Sequence, residues 1–359
     1  MVVSRQGRAL AHSSPTHHSP LTLTRPSCSW FVPAITEWEP LKASMSVAFT
    51  FPGQGSQQVG MGHALAEQFT AARTVFDEVD EALGLKLSSI MWEGPEDRLM
   101  LTENAQPALM SVSMAALAVL GAEFGIGVAR TARFVAGHSL GEYSALAAAG
   151  SFSLSDAARL LQIRGRAMQR ATPVGTGAMA ALIGLDHEAA VAVAAEAAQG
   201  QVCEAANDNA PGQVVVSGHR QAVERAVDIA RARGARRAVL LPVSAPFHCA
   251  LMQPAAEVMA EALSAVKLRR PTVPVIANVT AAPLSDPAAI REALIAQVTG
   301  VVRWRESIGY LGGEGTSLLV ELGAGRVLTG LSKRMLPEAK CIAASTPDEI
   351  AAAAELLRS

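Results

Sequence analysis

RFVAGHSLGEYSALAAAG, residues 133–150, sets one serine between two glycines as Gly137-His138-Ser139-Leu140-Gly141. Residues 134–136 ahead of it predict a short buried strand, and the Ala- and Leu-rich residues 140–149 behind it predict a helix. A sharp strand-to-helix turn of the Gly-x-Ser-x-Gly kind exposes the serine oxygen. It also puts the next backbone N–H groups at a helix N-terminus, where partial positive charge stabilises an oxyanion. Glycine on both sides leaves room where side chains would clash. The pentapeptide alone equally suits a serine that merely caps a helix.

Outward from this stretch, apolar β-rich pieces alternate with helical patterns, which predicts an α/β fold. Residues 47–51 read as the first strand, 64–82 and 107–124 as helices, and 156–171 as a helix capped by Ser155. TPVGTG, residues 172–177, marks a break. Beyond it the order is β-α-β-β-α-β, with helices at 188–199 and 220–233, which is the ferredoxin-like order. The expected architecture is therefore an α/β-hydrolase-like large domain (45–172 and 244–359) with an inserted ferredoxin-like small domain (173–243). Strands at 275–278 and 318–321 close the large domain.

Composition narrows the function classes. The chain has 359 residues, 50% of them hydrophobic, with a net charge of −2 and a pI near 6.5. No basic field points to nucleic acid. Cys28, Cys203, Cys249 and Cys341 lack Cys-x-x-Cys spacing, which predicts a reduced cytoplasmic protein with neither a zinc site nor a disulfide framework. The most apolar run, 111–129, is interrupted by Glu123 and several glycines and reads as a buried helix rather than a membrane span. Residues 1–44 are rich in Ser, Thr, Pro and His. A transit peptide, a disordered tail and sequence upstream of the true start all fit them, and the last is favoured, with Met45 as functional start.

A nucleophilic serine needs a base. Outside the N-terminal stretch the histidines are His63, His138, His187, His219 and His248. His248 stands in a Pro-Phe-His loop where the chain re-enters the large domain, and it is the best candidate. PGQGSQ, residues 52–57, follows the first strand. Gln58 occupies the place where a dinucleotide loop needs its third glycine, so the loop suits donation of a backbone N–H toward an oxyanion instead. Arg164, after Leu160, Leu161 and Ile163, can point inward, and a buried guanidinium needs an anion such as a carboxylate.

PGQGSQ, GHSLGEYSAL, IRGRAMQ…PVGTGAMAA, NDNAPGQVVVSG, PFHCALM and ELGAGRVLTGLSKR occur in that order. Together they resemble the malonyl-CoA:acyl carrier protein transacylases of dissociated fatty acid synthesis, over residues 45–357. The resemblance implies a malonyl ester on Ser139, His248 as base, Arg164 on the malonyl carboxylate, and oxyanion N–H groups from Gln54 and Leu140. It implies that Gln297 helps hold the histidine, that Asn207 and Gln213 lie near the pantetheine arm, and that Arg236, Arg237, Lys333 and Arg334 belong to a docking face for the carrier protein. No cofactor or metal is implied. Malonyl-CoA and holo-acyl carrier protein are the expected partners, with no nucleic acid or membrane, and a monomer is the family expectation. Phe247 before the base suits malonyl over methylmalonyl. The rivals are a serine esterase or thioesterase, an acyltransferase serving polyketide synthesis, and a catalytically idle carrier-binding scaffold.

Overall fold

The computed structural model describes residues 45–358. The expectations for residues 1–44, a disordered or non-native extension ahead of a functional start at Met45, lie outside the described residues.

In chain order the strands are β1 (Val47–Phe51), β2 (Phe134–Gly137), β3 (Gly177–Ile183), β4 (Cys203–Ala210), β5 (Gln213–His219), β6 (Arg237–Leu240), β7 (Val275–Ile276), β8 (Pro283–Leu284), β9 (Leu318–Leu322) and β10 (Lys340–Ala344). Six of them form a sheet in the order β10-β9-β1-β2-β7-β8. It is parallel from β10 to β7, with β8 antiparallel at the edge. Every residue of β1, β2 and β9 is buried. VAFTF and LLVEL are accordingly near-continuous apolar runs, as in strands covered on both faces.

Helix Thr102–Phe124 packs against Leu154–Arg170, Thr70–Leu83 and Leu140–Ala148. It is long and apolar enough to cross a bilayer, yet most of it is buried inside this fold. It begins at Thr102, five residues ahead of the predicted Pro107. The helix expected over 64–82 is interrupted at Phe69, whose extended backbone separates His63–Gln68 from Thr70–Leu83. The cap of helix Leu154–Arg170 is Ser153, whose Oγ accepts the Asp156 N–H, whereas the Ser155 hydroxyl donates to Glu78. Only Ser153 stands three residues before a free first-turn N–H.

The other four strands form an antiparallel sheet in the order β4-β5-β3-β6. Helices His187–Ala198 and Arg220–Ala232 cover one face. The strand period of two decides which side chains meet them. Ala178, Ala180 and Leu182 of β3 join Val214 and Val216 of β5 beneath the helices, while Met179 and Val215 turn to the main core. A parallel bridge between Asn207 and Val302 and an ion pair between Asp208 and Arg305 (2.8 Å) tie β4 to the six-stranded body.

Candidate active site

Phe51 and Gly137 are register partners at the C-terminal ends of β1 and β2. The chain leaves β2 through Ser139 at φ 54, ψ −110, and enters helix Leu140–Ala148 directly. Such a backbone costs about 1–3 kcal/mol and persists only where its surroundings enforce it. The flanking glycines are spatial requirements: a Cβ on Gly137 would lie 1.9 Å from the Gly141 carbonyl oxygen, and one on Gly141 would lie 2.2 Å from that of Phe51. Two amide side chains then clamp the serine. Asn278 Oδ1 accepts its N–H at 2.7 Å, and Gln297 Nε2 donates to its carbonyl at 3.0 Å.

Ser139 Oγ lies 2.7 Å from His248 Nε2, and His248 Nδ1 lies 2.8 Å from the backbone carbonyl of Gln297. A carbonyl can only accept, so Nδ1 carries the proton and Nε2 presents its lone pair to the serine. His248 is buried, and burial, with the nearby Arg164 charge second, pushes its pKa down to about 3. The imidazole is therefore neutral near pH 7 and able to take a proton. Among the described residues no carboxylate contacts Nδ1, and the pair there is a dyad oriented by main chain rather than a Ser-His-Asp triad.

Arg164 is only 1% exposed. Its helix turns Ala157, Leu161, Arg164, Gly165 and Met168 toward the core, one stripe at helical spacing. Gly165 makes this possible, because a Cβ there would sit 2.5 Å from the Thr102 carbonyl of the neighbouring helix. Arg164 Nη1 donates to Gln106 Oε1 (2.9 Å), while Nη2 donates to Gln297 Oε1 (2.8 Å) and to Ser139 Oγ (3.0 Å). Arg159, Arg166 and Arg170 on the same helix are exposed. A buried cation thus points at the nucleophile itself.

These groups open into a cavity of about 350 Å³, also lined by Gln54, Leu140, Met168, Met179, Asn207 and Phe247. Leu140 is the first residue of its helix, so its N–H has no preceding turn to bond. Gln54 follows β1 as the elbow follows β2, and Gly53 packs so closely on His138 that a Cβ would lie 2.8 Å from its carbonyl oxygen. Serine, base, cation and two candidate amide donors share one space at the carboxyl ends of the parallel strands, the usual place for a site in such sheets.

The acyl transferase domain family model matches residues 48–341. This chain belongs to the acyl transferase family. A malonyl CoA-acyl carrier protein transacylase of Bacillus subtilis is 48% identical, over 87% of this chain and 97% of the relative. The crystal structure of an acyl-carrier-protein-S-malonyltransferase from Bartonella henselae is 56% identical, covers 88% of this chain and all of its own, and superposes with a TM-score of 0.86. A malonyl-transacylase solved in complex with a type II polyketide synthase acyl-carrier protein is 42% identical, over 87% of this chain and 99% of its own, with a TM-score of 0.84.

Within this acyl transferase, the sequence-predicted residues divide. Ser139, His248, Arg164 and Gln297 are hydrogen-bonded to one another, and Gln54, Leu140 and Asn207 line their cavity. Gln297 holds the histidine with its main-chain oxygen, while its side chain serves Arg164 and the elbow. Gln213 does not line the cavity; its Oε1 accepts from Arg334 at 2.6 Å. It pairs with Ile183, which pairs with Arg237, so Arg237 and Arg334 share one end of the antiparallel sheet. Arg236, Arg237, Lys333 and Arg334 are all exposed.

Sequence reasoning missed Gln106, Asn278, Glu142 and Asn209. Asn209 Oδ1 meets His138 Nε2 at 2.8 Å, fixing the ring next to the nucleophile from β4. The signal for Asn209 was present in NDN, where residues two apart in a strand share a face and Asn207 lines the cavity. Asn278 and Gln106 had none, being single amides far from any motif.

Proposed function

We propose that this chain moves a malonyl group from malonyl-CoA to the phosphopantetheine thiol of holo-acyl carrier protein, through a malonyl ester on Ser139, in fatty acid synthesis. The observation that carries the reading is Arg164: a buried guanidinium 3.0 Å from a nucleophile that lies 2.7 Å from its base. An acyl group ending in a carboxylate supplies the anion this cation needs. The names of the relatives support malonyl as that group, and the neighbour solved with its carrier protein supports the acceptor.

His248 Nε2 takes the Ser139 proton while Oγ attacks the malonyl thioester carbonyl. The N–H groups of Gln54 and Leu140 receive the oxyanion, a contribution of about 10²–10³ in rate per donor. The protonated histidine gives its proton to the departing CoA sulfur. The carrier's thiol then repeats the cycle in reverse, its proton passing to His248 and the acyl group to its sulfur. Among the described residues Nδ1 has a fixed main-chain acceptor throughout.

We assign residues 173–243 as a ferredoxin-like subdomain, on the β-α-β-β-α-β order and the β4-β5-β3-β6 strand order. Its Met179 and Asn207 give the cavity a wall facing the acyl and pantetheine groups. Its Arg236 and Arg237, with Lys333 and Arg334, form a docking face for an acidic carrier. Reversing both pairs raises KM for the carrier alone, and an equal rise for malonyl-CoA refutes the assignment.

Incubation with malonyl-CoA should give an intact-mass adduct of one malonyl group on Ser139, discharged by holo-carrier protein and absent in Ser139→Ala. Failure to form the adduct, or discharge only to water, overturns the proposal. Arg164→Ala should lower kcat/KM for malonyl-CoA by about 10²–10⁴, the usual cost of removing one partner of a desolvated ion pair, while transfer from acetyl-CoA is kept. Equal losses for both acyl groups favour an esterase-like site in which Arg164 is only structural. The likeness to the polyketide carrier complex supports a second reading, delivery to a polyketide carrier, which a comparison of kcat/KM on the two carrier types decides.

A further inference from the structure

The serine motif contains a carboxylate that the mechanism above does not use. Glu142 lies three residues after Ser139, is 1% exposed, and faces inward from helix Leu140–Ala148. Its Oε2 accepts two hydrogen bonds, from Gln297 Nε2 at 2.7 Å and from the Asn278 N–H at 3.1 Å. These are the two residues whose amides clamp the peptide units on either side of Ser139. Gln297 also accepts from Arg164 through Oε1 and from His248 through its main-chain oxygen.

A side-chain amide has one accepting and one donating end, and Gln297 uses both. Nε2 must face Glu142 for Oε1 to face Arg164. Turned over, it would set an NH₂ against the guanidinium, donor against donor, and lose its bond to the Ser139 carbonyl. We propose that Glu142 is a positioning residue: its ionised carboxylate fixes the direction of the Gln297 amide and thereby sets Ser139, His248 and Arg164 together for acyl transfer. Protonation weakens Oε2 as an acceptor and adds an O–H donor that competes for the amide oxygen. The ionised form is the one that holds the site.

The electrostatic surroundings agree. Burial raises the Glu142 pKa to about 7, against the hydrogen bonds from Gln297 and Asn278 and the Arg164 charge, which lower it. The neighbouring imidazoles and Tyr143 are shifted away from that pH. Burial lowers His248 to about 3 and depresses His138, raises Tyr143, and leaves Arg164 charged despite a downward shift. Glu103, on the neighbouring helix Thr102–Phe124, is taken up by Arg166. The adjoining strands β1, β2 and β7 carry no titratable side chain. An acid limb near neutrality therefore belongs to Glu142, although a histidine base would ordinarily receive it.

This inference rests on the transacylase reading, and its test separates the two. Single-turnover malonylation of Ser139 by malonyl-CoA is followed by intact mass from pH 5.5 to 8.5. Wild type should lose kcat/KM about tenfold per pH unit well below pH 7. Glu142→Gln should run roughly 10–100-fold below the wild-type plateau and be flat over the same range. Glu142→Asp keeps the charge one methylene short and should retain the limb at a reduced rate, so it carries the test if the glutamine variant does not fold. A Glu142→Gln profile with the wild-type acid limb, or a Glu142→Asp profile without one, overturns the role of Glu142. Absence of any adduct in wild type overturns the transacylase reading instead.

Discussion

Ser139 and His248 both carry left-handed backbone, at φ 54 and φ 59, yet they are held by different means. The serine is enforced by main-chain packing at the elbow itself, with the Asn278 and Gln297 amides added to it. Gly137 and Gly141 let β2, the elbow helix and the end of β1 approach until only a hydrogen atom fits. The histidine is enforced at a distance. Its loop leans on the antiparallel sheet, with Pro246 so close to Gly177 that a Cβ there would lie 2.3 Å from the proline ring. Its Nδ1 reaches the main chain of Gln297, forty-nine residues on. Strain around the nucleophile is part of the fold, whereas strain around the base depends on how two sheets meet.

That contrast can be broken from either side. Gly141→Ala places a methyl 2.2 Å from the Phe51 oxygen and 2.9 Å from that of Pro52, both backbone atoms of the central strand and its exit. Neither can move without disturbing β1, so a destabilisation of about 3 kcal/mol or more is expected. Denaturant titration measures it. A variant of unchanged midpoint would show that the elbow has slack the geometry denies.

Gly177→Ala tests the other side. Its methyl, at the start of β3, meets the side-chain ring of Pro246 in the loop ahead of His248 and no main-chain atom of the sheet. Stability should change by less than about 1.5 kcal/mol. The cost appears in catalysis, because the His248 ring moves with Pro246, and a shift approaching 1 Å costs up to about 10² in kcat. Loss of folding at Gly177 comparable to that at Gly141 would erase the distinction between the two sites.

The same division explains what could be read from the chain. The elbow was legible because five consecutive residues meet all of its requirements. Arg164 was legible from its place in a helical stripe, and His248 by elimination among few histidines and by resemblance. The clamp was not. Asn278 and Gln106 enter the site from a strand end and a buried helix, and a lone amide leaves no periodic trace. Glu142 stood inside the quoted motif, but an acidic residue in the first turn of a helix reads as ordinary dipole complementation. Only burial distinguishes it. Ser153 displaced Ser155 as a helix cap for a similar reason: S-F-S-L-S offers several hydroxyls, and the partner on another helix decides among them.

The two sides also carry buried titratable groups of opposite sign, which gives the smallest and most discriminating effect. His248 binds a proton at about 6.5 when unfolded but only near 3 when folded. Its contribution to stability is therefore present above pH 6.5 and is lost as pH falls toward 3. Glu142 runs the other way, from 4.5 unfolded to about 7 folded. The folded protein holds that proton more tightly, so its contribution is full below pH 4.5 and is lost as pH rises through 7. Between pH 7 and 5.5 the two nearly cancel, each amounting to about 1 kcal/mol. Relative to wild type, His248→Gln should therefore gain about 1 kcal/mol on acidification over that interval, and Glu142→Gln should lose about as much. Urea midpoints at the two pH values read this difference directly. Two variants moving in the same direction would mean that base and elbow are not electrostatically opposed, and that the neutral imidazole beside Ser139 owes its state to something other than burial beside Arg164.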